Sequence, residues 1–540
     1  MQPQPGLSEM HVGSFALRTP DRPAIIMGNT GRIVTFAQYE SVSNQCAQLL
    51  RSHGLRRGDT VALLLENHPL YLPLAWGGLR AGLRVTTVAT HLTPEEVDYI
   101  VDNSGAGVFI TSAAMAHTAR QLRLPGVPAA NRYLLTEASD NTICVASEMT
   151  GRPGFRDLHT AMNQQLSLPI ADQSEGIEML YSSGTTGKPK AVRKVLPDAP
   201  FGTPHPSAQL SARLYGFNEK TVYLSPAPLY HAAPFITNLR VNRFGGTSVV
   251  MEKFDPLTAL ALIERHAVTT SQWVPTHFVR MLRLAEKDRV RYDLSSHRVA
   301  FHAAAPCPVD IKREMLDWWG PIIHEYYAGS EGNGYCHITP AQWLEKPGSV
   351  GQAMIGNLRI CDETGEEVPA GREGTVFFEG GPSFEYHGDE EKTQSSRNKK
   401  GWSTLGDVGY VDEDGYLYLT DRKAFTIISG GVNIYPQEAE NVLLTHPGVV
   451  DAAVFGVPST DFGEEVKAVV QLSDSSQAGE PMAAELIAFC RSRLSRVKCP
   501  RSVDFIDKLP REENGKLYKR KLREAYWKDH PGATPERVVR

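Results

Sequence analysis

Between residues 23 and 128, apolar side chains recur in two alternating rhythms. Tyr39, Val42, Cys46, Leu49 and Leu50 fall at helical spacing, Gly54 and the Gly58-Asp59 pair stop that helix, and an unbroken apolar run follows at 61–65. The cycle repeats when Pro94, Glu95 and Glu96 open a helix and Val108, Phe109 and Ile110 form the next apolar run. Short runs without polar alternation predict strands covered on both faces, hence a largely parallel sheet with helices on each side. From 137 to 174 the rhythm lapses among scattered Gly, Pro, Ser, Asn and Asp, which predicts a long irregular connection. Alternation and glycine spacing between 365 and 384 predict antiparallel strands, and Asp414-Gly415 predicts a hairpin turn. Beyond residue 422, strands are expected at 451–457 and 466–472 and an amphipathic helix over 482–494. Lys519, Arg520, Lys521 and Arg523 are expected to form a solvated helix face.

Composition narrows the function classes. A chain of 540 residues is too long for one compact core, so several subdomains are expected. Lys and Arg number 56 against 61 Asp and Glu, and the formal net charge of −5 offers no bulk attraction to nucleic acid or to an anionic membrane. Seven scattered cysteines without a Cys-x-x-Cys pair predict neither a disulfide framework nor a zinc site and fit a reducing, cytoplasmic setting. The N-terminus lacks a basic segment followed by an apolar core, so no signal peptide is expected. The charge-free run 221–239 carries Pro226, Pro228 and Pro234, so no transmembrane segment is expected either.

The stretch richest in chemistry is Tyr181-Ser182-Ser183-Gly184-Thr185-Thr186-Gly187-Lys188-Pro189-Lys190. Two glycines allow a sharp turn, while four hydroxyls and two lysines crowd one loop, a combination suited to cradling phosphates. A Walker A loop is excluded, because Ser182 stands where its first glycine belongs and Pro189 follows Lys188 in place of Ser or Thr. Downstream, Phe301-His302-Ala303-Ala304-Ala305-Pro306 reads as a strand whose small exit residues let a flat ring approach the backbone. In His324-Glu325-Tyr326-Tyr327-Ala328-Gly329-Ser330-Glu331, Tyr327 offers an aromatic face for stacking, and Ser330 and Glu331 offer oxygens to magnesium and phosphate. Asp407, set after Gly406 in Leu405-Gly406-Asp407-Val408-Gly409, can accept both hydroxyls of a ribose.

In this order the motifs resemble those of the adenylate-forming superfamily of acyl-CoA synthetases, peptide-synthetase adenylation domains and luciferases. The matches run from Tyr181 to Lys516 and include Ile427-Ile428-Ser429-Gly430-Gly431-Val432-Asn433-Ile434 and Asn514-Gly515-Lys516. The resemblance implies an α/β fold with a large N-terminal region over 1–422, made of two doubly covered sheets and a small distorted β-barrel. A small mobile α+β domain over 423–540 would follow. It implies an ATP-dependent acyl-CoA synthetase that uses ATP, magnesium and coenzyme A on a small-molecule carboxylic acid. The alternatives are an adenylating enzyme that serves a separate ligase or a carrier protein, and a non-catalytic binding protein.

Carried over motif by motif, the resemblance implies that Ser182, Ser183, Gly184, Thr185, Thr186, Gly187 and Lys190 hold phosphates. Ala304, Ala305, Pro306, Glu325, Tyr326, Tyr327, Ala328, Gly329 and Ser330 would line the nucleotide site, with Asp407 and Arg422 on the ribose. Glu331 and Thr185 would hold magnesium, Lys516 would be catalytic beside Glu331, Thr185 and Lys190, and Gly430 and Gly431 would line the pantetheine tunnel. His231, Val274, Phe278, Ala303 and Ala328 would shape the acyl pocket. His231 stands where amino-acid-activating relatives carry Asp, which argues against an amino-acid substrate. The small residues favour a bulky cyclic, terpenoid or steroid-like acid, level with a medium or long fatty acid. At the expected hinge the chain has Ala424 and Phe425 in place of the family's charged pivot.

Overall fold

In the computed structural model the described residues are 10–136, 154–182, 189–422, 425–429, 432–511 and 517–528. Local sequence dictates the first elements. Thr35 caps the helix Phe36–Ser52 and Gln38 caps back, closing a capping box, and Thr93 and Glu96 do the same for Pro94–Asn103. Between them Thr60–Leu64 is buried at every position, as its unbroken apolar run requires. It lies inside a six-stranded parallel sheet ordered Arg156–Asp157, Arg132–Leu135, Ala106–Ser112, Thr60–Leu64, Arg84–Thr87 and Ile177–Glu178. The expected irregular connection is only partly so, since Asp157 caps a short helix, Leu158–Asn163. The rest of that connection, 137–153, lies outside the described residues.

A second sheet has nine strands, with a parallel centre formed by Thr247–Val250, Val222–Ser225, Thr270–Trp273, Val299–His302 and Ile323–Tyr327. Tyr335–Ile338 and Gln352–Ile355 extend it antiparallel on one side, Pro23–Met27 joins in parallel on the other, and Ile33–Thr35 completes that edge. The helices Ala232–Arg243, Pro256–Arg265, Pro275–Leu282 and Val309–Trp319 follow its strands, so the strand exits collect at one end. Two antiparallel sheets stand where the barrel was expected. One holds Asn357–Cys361, Gly374–Glu379, Ser403–Val411 and Leu417–Arg422, and the other Phe384–Tyr386, Lys190–Lys194 and Leu180–Ser182. Gly415, at φ +80°, makes the predicted hairpin turn.

A fifth sheet is built only from residues 427–505, around the long hairpin Val449–Ser459 and Gly463–Leu472. The helices Pro436–Leu444, Glu480–Arg491 and Lys519–Trp527 belong to this C-terminal part. Lys519 and Arg523 do not form a solvated face. Lys519 is 7% exposed and bonded to Glu440 at 2.8 Å, Arg523 is 6% exposed and bonded to Glu464 at 2.9 Å, and the Trp527 indole donates to the Gly456 carbonyl. These two charges are consumed in docking the last helix, while Lys521 is exposed. No helix among the described residues is long and apolar enough to cross a membrane.

Glu440 also accepts from the Val454 amide, so Glu440→Ala would leave Lys519 buried without its counter-ion. Losing one partner of such a pair costs about 3–5 kcal/mol. Denaturant titration followed by Trp527 fluorescence is expected to show the C-terminal sheet unfolding earlier by this amount, and an unchanged midpoint would refute the role given to the pair.

Candidate active site

The strand exits of the nine-stranded sheet, the antiparallel sheets and the C-terminal part enclose one cleft of about 2170 Å³. Its nucleotide-like side is built from two motifs at those exits. Ala303, Ala304, Ala305 and Pro306 leave Val299–His302, and Ala304 takes φ +75°, a left-handed conformation unusual for a residue with a Cβ. Residues Glu325 to Glu331 line the neighbouring wall. The Tyr327 hydroxyl donates to Asp407 at 2.6 Å, with the Tyr327 ring stacked against Phe378, so an aromatic face and a buried carboxylate are fixed together. Asp407 sits opposite Arg422 in strand register; the Arg422 side chain lies outside the described residues. Tyr386 donates to Glu331 at 2.9 Å.

The strands flanking the phosphate-loop sequence run antiparallel, with Ser182 opposite Lys190. Lys190 pairs with Asp389 at 3.2 Å, and the main-chain amide of Lys392, helped by the Lys190 ammonium, holds the Asp389 carboxyl below the usual range. Ser183, Gly184, Thr185, Thr186, Gly187, Gly430, Gly431 and Lys516 lie outside the described residues, as does the side chain of Ser182. Leu517, Tyr518, Lys519 and Lys521, which follow Lys516, line the cleft, while Ile428 and Val432 are exposed.

On the acyl-like side, His231, Val274, Ala303 and Ala328 line the cleft. Phe278 does not. The helix Pro275–Leu282 presents Thr276, Val279 and Arg280 to the cleft, with Arg283 at its C-cap, which turns Phe278 and Met281 into the core against Trp273, His302 and Trp319. Glu325 lines the cleft with its carboxylate already paired. Its carboxylate is 2.6 Å from the Lys312 ammonium and near His302, all buried, so its oxygens are engaged. Burial pushes the Glu325 carboxyl up and the Lys312 ammonium down, against their mutual attraction. Tyr326 turns to the opposite face, where its hydroxyl accepts from Gln272 and its ring stacks on Tyr335.

Residues 14–384 match the AMP-binding enzyme family, and residues 438–516 match the AMP-binding enzyme C-terminal domain. The chain belongs to the AMP-binding enzyme family. A feruloyl-CoA synthase of Amycolatopsis is 31% identical over 522 residues, covering 95% of this chain and 99% of the relative. A 2-succinylbenzoate–CoA ligase of Bacillus licheniformis is 30% identical over 504 residues, covering 93% and 97%. The o-succinylbenzoate CoA synthetase of Bacillus subtilis, solved with its acyl-adenylate OSB-AMP, superposes with a TM-score of 0.75 at 27% identity, over 96% of this chain and 98% of that one. This AMP-binding enzyme is therefore an ATP-dependent acid–thiol ligase of the acyl-CoA synthetase kind.

Three residues of this AMP-binding enzyme's cleft carried no sequence signal. Asn67 accepts from the Leu229 amide at 2.7 Å and donates to the Met251 carbonyl, pinning the Pro-rich turn that presents His231. Thr87 donates to the Tyr230 carbonyl. His91 lies against the Tyr230 ring and meets Tyr518 at 3.4 Å, so it touches both the acyl-side mouth and the C-terminal part. Single polar residues outside any motif show their role only when the fold brings distant segments together.

Behind the cleft, His324 and His337 stack at 5.3 Å across neighbouring strands, with Tyr215 edge-on to both. Burial lowers both to about 4, and Lys312 adds to the effect on each. Above the ordinary histidine value near 6.5 both rings are neutral whether folded or not, and this part of the stability is intact. As pH falls from about 6.5 toward 4, the unfolded chain takes up protons that the folded one refuses, costing about 1.4 kcal/mol per pH unit per ring. The thermal midpoint is expected to drop through that window, and His324→Gln should flatten the drop; an unaltered slope would contradict this assignment.

Proposed function

We propose that this enzyme condenses a carboxylic acid with ATP to an acyl-adenylate and then transfers the acyl group to coenzyme A. The observation that carries the reading is that one cleft brings together the acyl-side wall at His231 and Ala303, the Tyr327–Asp407 pair suited to a nucleoside, and the segment following Lys516. The substrate carboxylate oxygen attacks the α-phosphorus, the bond to the β-phosphate oxygen breaks, and pyrophosphate leaves. Both reactants are anions, so catalysis rests on charge neutralisation and alignment more than on a protein nucleophile. Thr185, Thr186 and Lys190 would hold the β- and γ-phosphates, with the Lys190 ammonium exchanging Asp389 for phosphate oxygens. Asp407 would accept the ribose hydroxyls, and Lys516 would bridge the carboxylate and α-phosphate.

Magnesium fits the donor set. Glu331 is a hard oxygen ligand, and Gly329 leaves room for it, since an added Cβ would stand 2.6 Å from Glu331 Oε2. Bound there, the metal would neutralise charge on the phosphate oxygens. In the second half-reaction the thiolate of coenzyme A attacks the acyl carbonyl and AMP leaves. The boundary near residue 422 would serve as the hinge, letting the C-terminal part withdraw Lys516 and bring Gly430 and Gly431 to the pantetheine arm. The described arrangement, with Leu517, Tyr518, Lys519 and Lys521 at the cleft and Ile428 and Val432 exposed, suits the first half-reaction. A fatty or bulky cyclic acid is the substrate class we favour.

One observation supports a second reading, in which this enzyme only adenylates and a partner ligase or carrier protein takes the acyl group. Phe425 supplies no charge at the hinge, and its ring lies under the Lys519 ammonium at 5.2 Å. ATP–pyrophosphate exchange over a panel of acids, with direct detection of acyl-CoA, separates the two. Exchange together with acyl-CoA is expected, and exchange without it would favour the second reading. Lys516→Ala is expected to lower exchange by about 100- to 1000-fold while sparing thioester formation from a synthetic acyl-adenylate. Equal loss of both half-reactions would sink the role given to Lys516.

A further inference from the structure

The cleft wall formed by the helix Ala232–Arg243 presents Ala233, Ile236, Thr237 and Arg240 at helical spacing. From Ala233, near the His231 mouth, to Arg240 the helix rises about 10 Å. The chemistry at that inner end is unusual for an apolar acyl pocket. The Arg240 guanidinium donates to Ser211 Oγ at 2.7 Å and Ser207 Oγ at 2.9 Å, and His205 joins Ser207 at 2.9 Å. No carboxylate among the described residues stands within ion-pair distance of it.

The neighbouring charges are already matched. Glu178 attracts Arg240, but its carboxylate is held by Lys194 at 2.8 Å. Arg243 is paired with Glu175 through two bonds of 3.0 Å. His205 is kept neutral by burial, reinforced by the surrounding Arg240, Lys194 and Arg243 cations. The tyrosines facing Arg240 are engaged as well, Tyr215 with Tyr335 at 2.6 Å and Tyr326 with Gln272 at 2.8 Å. One positive charge therefore remains without an ion-pair partner among the described residues, beside two hydroxyls that accept from it while Ser211 donates to the Ser207 carbonyl and Ser207 is bonded to His205. Burial lowers the Arg240 pKa, the cost of a desolvated cation without a counter-ion.

We infer that Arg240, with Ser207 and Ser211, forms a subsite for a second carboxylate at the far end of the substrate, so that this enzyme's preferred substrate is a dicarboxylic acid activated at the end nearer His231. This rests on the synthetase reading and names the substrate class within it. A carboxylate is the planar, two-oxygen anion that a guanidinium fork binds bidentately. A monoacid of the same length would place a methyl group against a half-buried cation and leave it unmatched.

The test measures ATP–pyrophosphate exchange with matched pairs, each a linear acid of six to twelve carbons and its α,ω-dicarboxylic counterpart, for the wild type, Arg240→Leu and Arg240→Lys. The ratio of kcat/KM for diacid over monoacid is read within each protein, so it does not depend on how much of a variant folds. The wild type is expected to favour the diacid at one or two adjacent lengths. Arg240→Leu should lower that ratio by about 10- to 100-fold, the loss of a charged hydrogen-bonded contact, with Arg240→Lys in between. A wild type that prefers the monoacid at every length, or a ratio indifferent to Arg240→Leu, would overturn the inference while leaving the synthetase reading intact. Absence of exchange with every acid would overturn both.

Discussion

The cleft depends on pairs of opposite charge, buried or half-buried, set in its wall. Arg243–Glu175 ties the helix Ala232–Arg243 of the nine-stranded sheet to the chain entering the last strand of the parallel sheet. Lys194–Glu178 ties that strand to the antiparallel sheet carrying the phosphate-loop sequence, and Lys312–Glu325 braces the strand that ends in Tyr327. Such pairs add little net stability, because desolvation offsets attraction, but removing one partner is severe. Their geometry is directional, so they fix how three sheets meet. The cleft is the space left at that junction.

This arrangement also sorts the charges. The carboxylates of these pairs are neutralised locally and add little repulsion toward anionic reactants. Lys190 and Arg240 stand at different parts of the same space, one beside the phosphate-loop strands and the other two and a half helical turns from the acyl mouth. Asp407, one of several acidic residues lining the cleft, is fixed by the Tyr327 hydroxyl where hydroxyl donors, not anions, are expected. The field in the cleft is thus patterned by position, which allows ATP and an acid to share one chamber.

Much of the fold was legible because its signals are local. Helices began where Thr35 and Thr93 close capping boxes, and buried strands followed the unbroken apolar runs. The misread residues share a cause, which is that their environment comes from distant segments. Lys519 and Arg523 look solvent-facing until Glu440 and Glu464 arrive from other elements. Glu325 sits within the Tyr-Ala-Gly-Ser-Glu neighbourhood, yet it lies two positions before Tyr327 and reaches back to Lys312 on a helix. Phe278 is one turn from Val274, but the helix presents a different face to the cleft. Arg240 looks like an ordinary cation near a helix C-terminus, and only the fold reveals that no carboxylate among the described residues stands within ion-pair distance of it. Asn67, Thr87 and His91 belong to no pattern.

Ala304 bears on how the cleft meets a flat ring. A glycine would adopt φ +75° without strain, whereas a side chain there costs about 1–2 kcal/mol. The methyl group also removes backbone conformations that glycine would leave open, an entropic gain of about 0.4–1 kcal/mol that partly offsets the strain. The site has therefore exchanged some stability for a wall with fewer states to lose. A flat ring placed against residues 303–306 would leave less order to be imposed, and more of the contact energy would hold the ligand in place.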